Sequence, residues 1–179
     1  MKLIPEWHDH QYCLIAWPCN KDLYGEIIDS ARDEVANVIN EIAKTEYVIV
    51  LSNKEDINEI QNKTKDVNIK VIECQLDDSW MRDIGPIFYT EDKKLKSISF
   101  DFNGYGKYAD YCNDNKISQF ISNYLNIPTK NSDLVIEGGA ITYDDKKNLF
   151  STKNVIFNKN RKQKHSNEYI IKELKLLFD

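Results

Sequence analysis

The sequence predicts a mixed α/β (α+β) fold, with strands in small sheets and helices outside them. Three observations carry that expectation. Tyr47-Val48-Ile49-Val50-Leu51 is a β-branched run of the kind found in fully buried strands. Ile28, Ala31, Val35, Val38 and Ile42 recur every three or four residues, which is one face of a long amphipathic helix. Ile98, Phe100 and Phe102 alternate, as side chains on one face of a strand do. Such segments follow one another along the chain, so repeated β-and-α units are expected rather than one continuous doubly wound sheet.

In order, Tyr12 to Trp17 reads as a buried strand ended by Pro18, which cannot donate to a ladder. After the strand at Tyr47–Leu51, Ser52 or Asn53 is placed to cap a short helix with Ile57 and Ile60 inward. Val67, Ile69 and Val71 alternate as a strand would, with Ile72 and Cys74 following. Ile87-Phe88-Tyr89 is a short apolar run, and Lys93-Lys94 is a polar turn. Asn103-Gly104-Tyr105-Gly106 is a tight turn. Ile117, Phe120, Ile121, Tyr124 and Leu125 mark a second amphipathic helix, stopped by Pro128. Leu134-Val135-Ile136 is a strand running into Glu137-Gly138-Gly139. Ala140–Tyr143, Leu149–Thr152 and Val155-Ile156-Phe157 are further short segments, and Ser166 caps a last helix carrying Ile170, Ile171, Leu174, Leu177 and Phe178.

At 179 residues the chain suits one domain, 1–179. The net charge of -5, with no Lys/Arg stripe, argues against nucleic acid and is compatible with a small cationic substrate. No run approaches membrane-spanning length, and Met1–Glu6 lacks the apolar stretch of a signal peptide. Cys13, Cys19, Cys74 and Cys112 show no CxxC spacing and read as reduced thiols, so a cytoplasmic protein is expected. No phosphate-cradling glycine pattern occurs. His8-Asp9-His10 has the form of a metal hook but, without further ligands at hand, reads more readily as surface.

The stretch richest in chemistry is Asp77-Asp78-Ser79-Trp80-Met81-Arg82-Asp83-Ile84-Gly85-Pro86, which lies at a strand-to-strand junction. It fits an acidic surface turn in which Arg82 pairs with a neighbouring Asp. It also fits a receptor for a planar cation, with the Trp80 indole on one side and carboxylates on the other. A large aromatic is seldom placed on a plain solvated turn, which favours the second reading. Glu137 at a strand end, followed by two glycines, is placed for acid–base work or sits in solvent on a plain hairpin.

Five stretches taken together resemble the agmatine deiminases and their relatives, the bacterial-type peptidyl-arginine deiminases. They are Pro5-Glu6-Trp7-His8 with Trp17-Pro18, Asp78–Pro86, Phe102-Asn103-Gly104-Tyr105-Gly106-Lys107-Tyr108, Glu137-Gly138-Gly139, and Ser151-Thr152 with Asn158-Lys159-Asn160-Arg161. The resemblance implies part of a pentein β/α-propeller built from ββαβ-type modules, needing no cofactor. It implies a hydrolase in which a cysteine thiolate attacks the guanidinium carbon of an agmatine-like substrate. Ammonia leaves, and water releases the ureido product from a covalent thiouronium. Asp83 would bind the guanidinium nitrogens, Trp80 would line the pocket, and Glu137 would be the catalytic residue that orients the substrate and shuttles protons.

The family's second Asp and its general acid–base His, in a Gly-His-x-Asp motif, and its late nucleophilic Cys have no counterparts in these 179 residues. The expectation is therefore the N-terminal half of a propeller, inactive alone. A truncated product, one half of a split enzyme completed by a second chain, and a non-catalytic guanidine- or polyamine-binding module all fit. Self-association through unpaired module edges is a further expectation, and a structural protein keeping the motifs only for packing is the remaining alternative.

Overall fold

A computed structural model of the protein describes residues 2–108 and 110–178. They fall into two compact units: Asp9–Met81 is one, and the first residues together with the chain from Arg82 onward form the other. The strands lie in three small sheets, in keeping with the spacing of the apolar runs.

Lys2–Leu3 (β1) opens the chain. The Asp9–Met81 unit then runs through Tyr12–Ala16 (β2), a helical turn at Lys21–Tyr24 (α1), Ile28–Ala43 (α2), Tyr47–Ser52 (β3), Ile57–Lys63 (α3) and Ile69–Glu73 (β4). Its sheet has the order β2-β3-β4, and both pairings are parallel, which is what helical crossovers between successive strands produce. The central strand is β3, so Val48–Leu51 are buried on both faces and the run can be uniformly apolar. Trp17, Ala36, Ile39, Ala43, Val48, Val50 and Ile60 form the core beneath it.

Three details differ from the sequence reading. The buried seam of α2 is Arg32, Ala36, Ile39 and Ala43, one position round from the predicted stripe, and Val38 is exposed. The rotation has a physical cause: an apolar-pattern reading skips Arg32, yet its guanidinium is fully paired in the interior. Nε donates to Pro18 O (3.0 Å), Nη1 to Glu59 (2.6 Å) and Nη2 to Asp56 (2.8 Å). Val67 is not in a strand but exposed in a turn, where Asn68 N donates to the Asp66 carboxylate (2.8 Å). Asn53 precedes the turn before α3 without a side-chain cap, because its amide is spent on both backbone groups of Leu76 (2.8 and 3.3 Å).

Met81–Ile84 (α4) puts one helical turn inside the acidic stretch and leads to Ile87–Glu91 (β5). Asp92 and Lys93, at φ 53° and 61°, make the two-residue turn into Lys94–Asp101 (β6). Ile117–Tyr124 (α5) then crosses to Thr129–Val135 (β7). The sheet order is β1-β5-β6-β7, with β5 and β6 antiparallel and β6 and β7 parallel. The segment β5-β6-α5-β7 is thus a complete ββαβ module, with β1 added antiparallel at the β5 edge. Thr142–Tyr143 (β8) and Leu149–Phe150 (β9) form a separate pair, Lys153–Ile156 (α6) is a helical turn, and Asn167–Phe178 (α7) closes the unit. Leu3, Ile87, Ile98, Leu134, Ile136, Ile141, Ile170, Leu174 and Leu177 are among its buried core. Among the described residues, no helix is long and apolar enough to cross a membrane.

Burial pushes the Asp56 carboxyl up against the pull of Arg32, so this pair depends on both members. Arg32→Met is expected to lower unfolding stability by about 3–5 kcal/mol, because it strands a buried carboxylate. Arg32→Met with Asp56→Leu should recover at least half of that loss. Urea unfolding followed by circular dichroism measures both, and equal losses in the single and double variants would contradict the paired role.

Candidate functional site

Four of the motif stretches meet in the unit that starts at Arg82. Glu137 follows β7 in extended conformation (φ -81°, ψ 150°), so the strand carries its side chain to the sheet end before the 3-10 turn Gly138–Ala140 begins. That turn lies directly on the backbone and side chain of Arg82 and Asp83. A Cβ on Gly138 would stand 2.3 Å from the Arg82 carbonyl oxygen, and one on Gly139 would stand 2.1 Å from Asp83 Oδ1. No side chain fits there. The close approach lets Gly139 N donate to Asp83 Oδ1 at 3.0 Å.

The other oxygen of Asp83 is held from a different loop. Tyr105 Oη donates to Asp83 Oδ2 at 2.6 Å. Tyr105 sits at φ 59° between two positive-φ glycines, a conformation uncommon for a bulky side chain and one that the surrounding packing must hold. Here the packing is with Asn158–Arg161: a Cβ on Gly106 would lie 1.9 Å from Asn160 O, and Asn103 Nδ2 donates to Arg161 O at 2.8 Å. Arg161 in turn is buried, pairs through Nη2 with Glu137 Oε1, and places its Cζ 5.5 Å from the Tyr105 ring centroid. A hydrogen bond, a ring contact and an ion pair link four side chains in sequence: Asp83, Tyr105, Arg161, Glu137.

The electrostatics follow from this arrangement. Burial raises the Glu137 carboxyl above its ordinary range, and the charge of Asp83 adds to the rise. Glu137's own backbone N–H and the Arg161 guanidinium oppose it. An ionised carboxylate offers about four lone-pair directions. Gly139 and Tyr105 take one on each oxygen of Asp83, leaving acceptor capacity on a carboxylate whose orientation is already fixed. A pre-set acceptor next to a second carboxyl is suited to a planar, multi-donor cation.

Asp83 and Glu137 are therefore brought together. Trp80 belongs to the Asp9–Met81 unit, where its indole is 52% exposed and hydrogen-bonds the Asp78 side chain. Burial raises the Asp78 carboxyl, and Asp78 also accepts from Ser79 N at 2.7 Å. Arg82 does not pair with a neighbouring Asp; it reaches Glu6 (2.5 Å) and the Ile141 carbonyl (3.1 Å). His10 engages Glu46 at 2.6 Å, and no group of three or more His, Cys, Asp or Glu side chains is placed to hold a metal ion among the described residues. Burial and Glu46 push the Cys13 thiol up, away from thiolate character. Tyr105 and Arg161 received no role from sequence reasoning. The signal available was a tyrosine enclosed by two glycines and an arginine in a fixed Asn-Arg pair, both inside motifs already noted.

The fold has close counterparts. It superposes on agmatine deiminase of Enterococcus faecalis with a TM-score of 0.90 at 21% identity, over 97% of this chain and 49% of that one. The likeness is one of fold. A relative from Mycoplasma capricolum subsp. capricolum is 35% identical over 176 residues, covering 95% of this chain and 48% of its own length. The agmatine deiminase of Medicago truncatula is 30% identical, covering 95% and 49%. The chain thus spans about half the length of the curated relatives it matches. A model of the Porphyromonas-type peptidyl-arginine deiminases matches residues 2–179, and the chain belongs to that family.

The packing of Gly139 on Asp83 yields a coupling test. Gly139→Ala should cost about 1–3 kcal/mol, as overpacking does. In an Asp83→Ala background the new methyl has room, so the same change should cost at least about 1 kcal/mol less, as expected for residues in contact. Chemical unfolding of the four proteins measures this; additive effects would mean the turn does not rest on Asp83.

Proposed function

We propose that the chain carries the guanidinium-binding half of an agmatine deiminase-type hydrolase, which converts agmatine and water to N-carbamoylputrescine and ammonia. The observation that carries the reading is the convergence of Asp83 and Glu137, each pre-oriented by neighbouring motifs, within a chain of the peptidyl-arginine deiminase family. Relatives at about the same identity and coverage, in Medicago truncatula and Stutzerimonas stutzeri, are agmatine deiminases.

In this reading Asp83 accepts N–H donors in the plane of the substrate guanidinium. Trp80 is given a pocket-lining role by the family resemblance alone. Glu137 orients the guanidinium and shuttles protons between it, the departing ammonia and the incoming water. A guanidinium is a poor electrophile because resonance and positive charge stabilise it, so attack requires a thiolate rather than water. The thiolate attacks the central carbon, the C–N bond to the departing nitrogen breaks with a proton delivered to it, and water then displaces sulfur to leave the ureido group. Neither the half-buried Cys13 nor the exposed Cys112 is placed by resemblance at that nucleophile's position. We assign nucleophile and imidazole to a second stretch of polypeptide that completes a propeller of which residues 1–179 are one domain, acting in the cytoplasm.

The test is an agmatine-binding measurement by thermal shift combined with a ureido-product assay. A ligand that binds only the folded state raises its unfolding midpoint. Agmatine should raise it for the wild-type chain and fail to do so for Asp83→Ala. Product should form only when a C-terminal-half polypeptide from a full-length relative is added, since loss of a nucleophile typically removes a factor of order 10⁴ or more. Turnover by the unsupplemented chain, lost in Cys112→Ala, would make Cys112 the nucleophile and overturn this assignment. Binding without turnover in any mixture would favour a guanidine-binding module.

A further inference from the structure

Arg161 is held by more than its ion pair. It ends the 3-10 turn Lys159–Arg161, whose start is fixed by Asn160 N donating to Asn158 Oδ1 at 2.9 Å. Its carbonyl accepts from Asn103, and its guanidinium is stacked near Tyr105. The side chain is 9% exposed, and that of Glu137 8%. Yet the pair is single-pronged. Nη2 engages Glu137 Oε1, whereas Nη1 is buried and has no hydrogen-bond partner among the described residues. Arginine–carboxylate pairs are frequently bidentate, and the second bond adds geometric specificity.

We propose that Arg161 is a positioning residue for Glu137, anchoring one carboxylate oxygen while leaving the group unlocked to exchange protons with a bound guanidinium. The proposal rests on the deiminase reading of Glu137. The groups that face Glu137 are Arg161 from the Lys159–Arg161 turn and Asp83 from α4, and they act in opposite senses. Burial and Asp83 favour the neutral acid; Arg161 favours the carboxylate. A general base that rests protonated has nothing to accept with, so the balance depends on the cation beside it. Because Tyr105 touches both Arg161 and Asp83, the same stacked ring fixes the cation and the competing anion relative to each other.

The sign is determined. Among the described residues Arg161 is the positive charge that opposes protonation of Glu137, so removing its guanidinium must make the Glu137 carboxyl titrate at higher pH. The experiment is a ¹³C carboxyl titration of the Glu-labelled full chain, with Glu137 assigned by the signal lost in Glu137→Gln. Arg161→Gln should raise the midpoint by at least about one pH unit, a tenfold change in the ionisation constant. Arg161→Lys, which keeps the charge but not the fork, should restore most of it. A midpoint unchanged in Arg161→Gln would overturn the proposal. If that variant does not fold, the wild-type chain decides: the Arg161 side-chain ¹⁵N resonances should titrate with the Glu137 midpoint, and independent behaviour would overturn it equally.

Agmatine binding forms a separate arm. As the pH falls it should weaken at a higher pH in Arg161→Gln than in the wild type, in step with the Glu137 midpoint of each protein. A wild-type chain that binds no agmatine at any pH would overturn the deiminase reading, and the Glu137 titration would still decide whether Arg161 positions that carboxylate.

Discussion

Two carboxylates placed close together in a partly desolvated site repel each other, and the architecture around Asp83 and Glu137 answers that repulsion. Burial and mutual charge both favour protonation of Glu137. Glu137's own backbone N–H and the Arg161 guanidinium from the Lys159–Arg161 turn oppose it, while Asp83 is held by a backbone N–H from the Gly138–Ala140 turn and a phenol from the Gly104–Gly106 turn. Each is delivered by irregular backbone at the margin of the ββαβ module. The regular strands and helices bury the apolar surface, and the turns then hold polar groups at distances that flexible loops would not maintain.

Close backbone approach is the mechanical counterpart of this electrostatics. Gly139 lies where any Cβ would strike Asp83, and Gly106 lies where one would strike Asn160. At Gly106 and at Tyr105 the chain also adopts positive φ, a conformation of low population outside the fold. The acidic centre is therefore assembled by packing loop on loop. Its geometry depends on the absence of side chains at two positions as much as on the presence of Asp83 and Glu137.

Much of the fold was legible in the sequence because it is written in periodicity. The β3 run, the α2 and α5 patterns and the final helix all appeared at their expected positions, since burial selects apolar side chains at the period of the element. What escaped was polar burial. Arg32 sits at the centre of a helix face, and Ser118 and Ser122 lie buried on α5, while Val38 and Tyr124 on the predicted stripes are exposed. Apolar counting cannot register a side chain that enters the core because it finds partners there. The same blindness applied to the site. Asp83 and Glu137 were noticed for their charge and motif, whereas Tyr105 and Arg161 matter through tertiary contacts that no spacing encodes. Arg82, which on the surface-turn reading would pair with a neighbouring Asp, instead reaches Glu6, a residue remote in sequence.

The strand β1 has a consequence for biosynthesis. Lys2 and Leu3 pair with Thr90 and Tyr89, so these residues find their partner only after the whole Asp9–Met81 unit has been made. That unit is continuous in sequence and its pairings are local, so it can become ordered during translation while Leu3, an almost wholly buried side chain, is still solvent-exposed. The second unit is closed by a long-range contact whose entropy is set by everything in between. Any segment joined ahead of Lys2 is consequently carried on an edge strand that is made before its partner β5 and docks only after it.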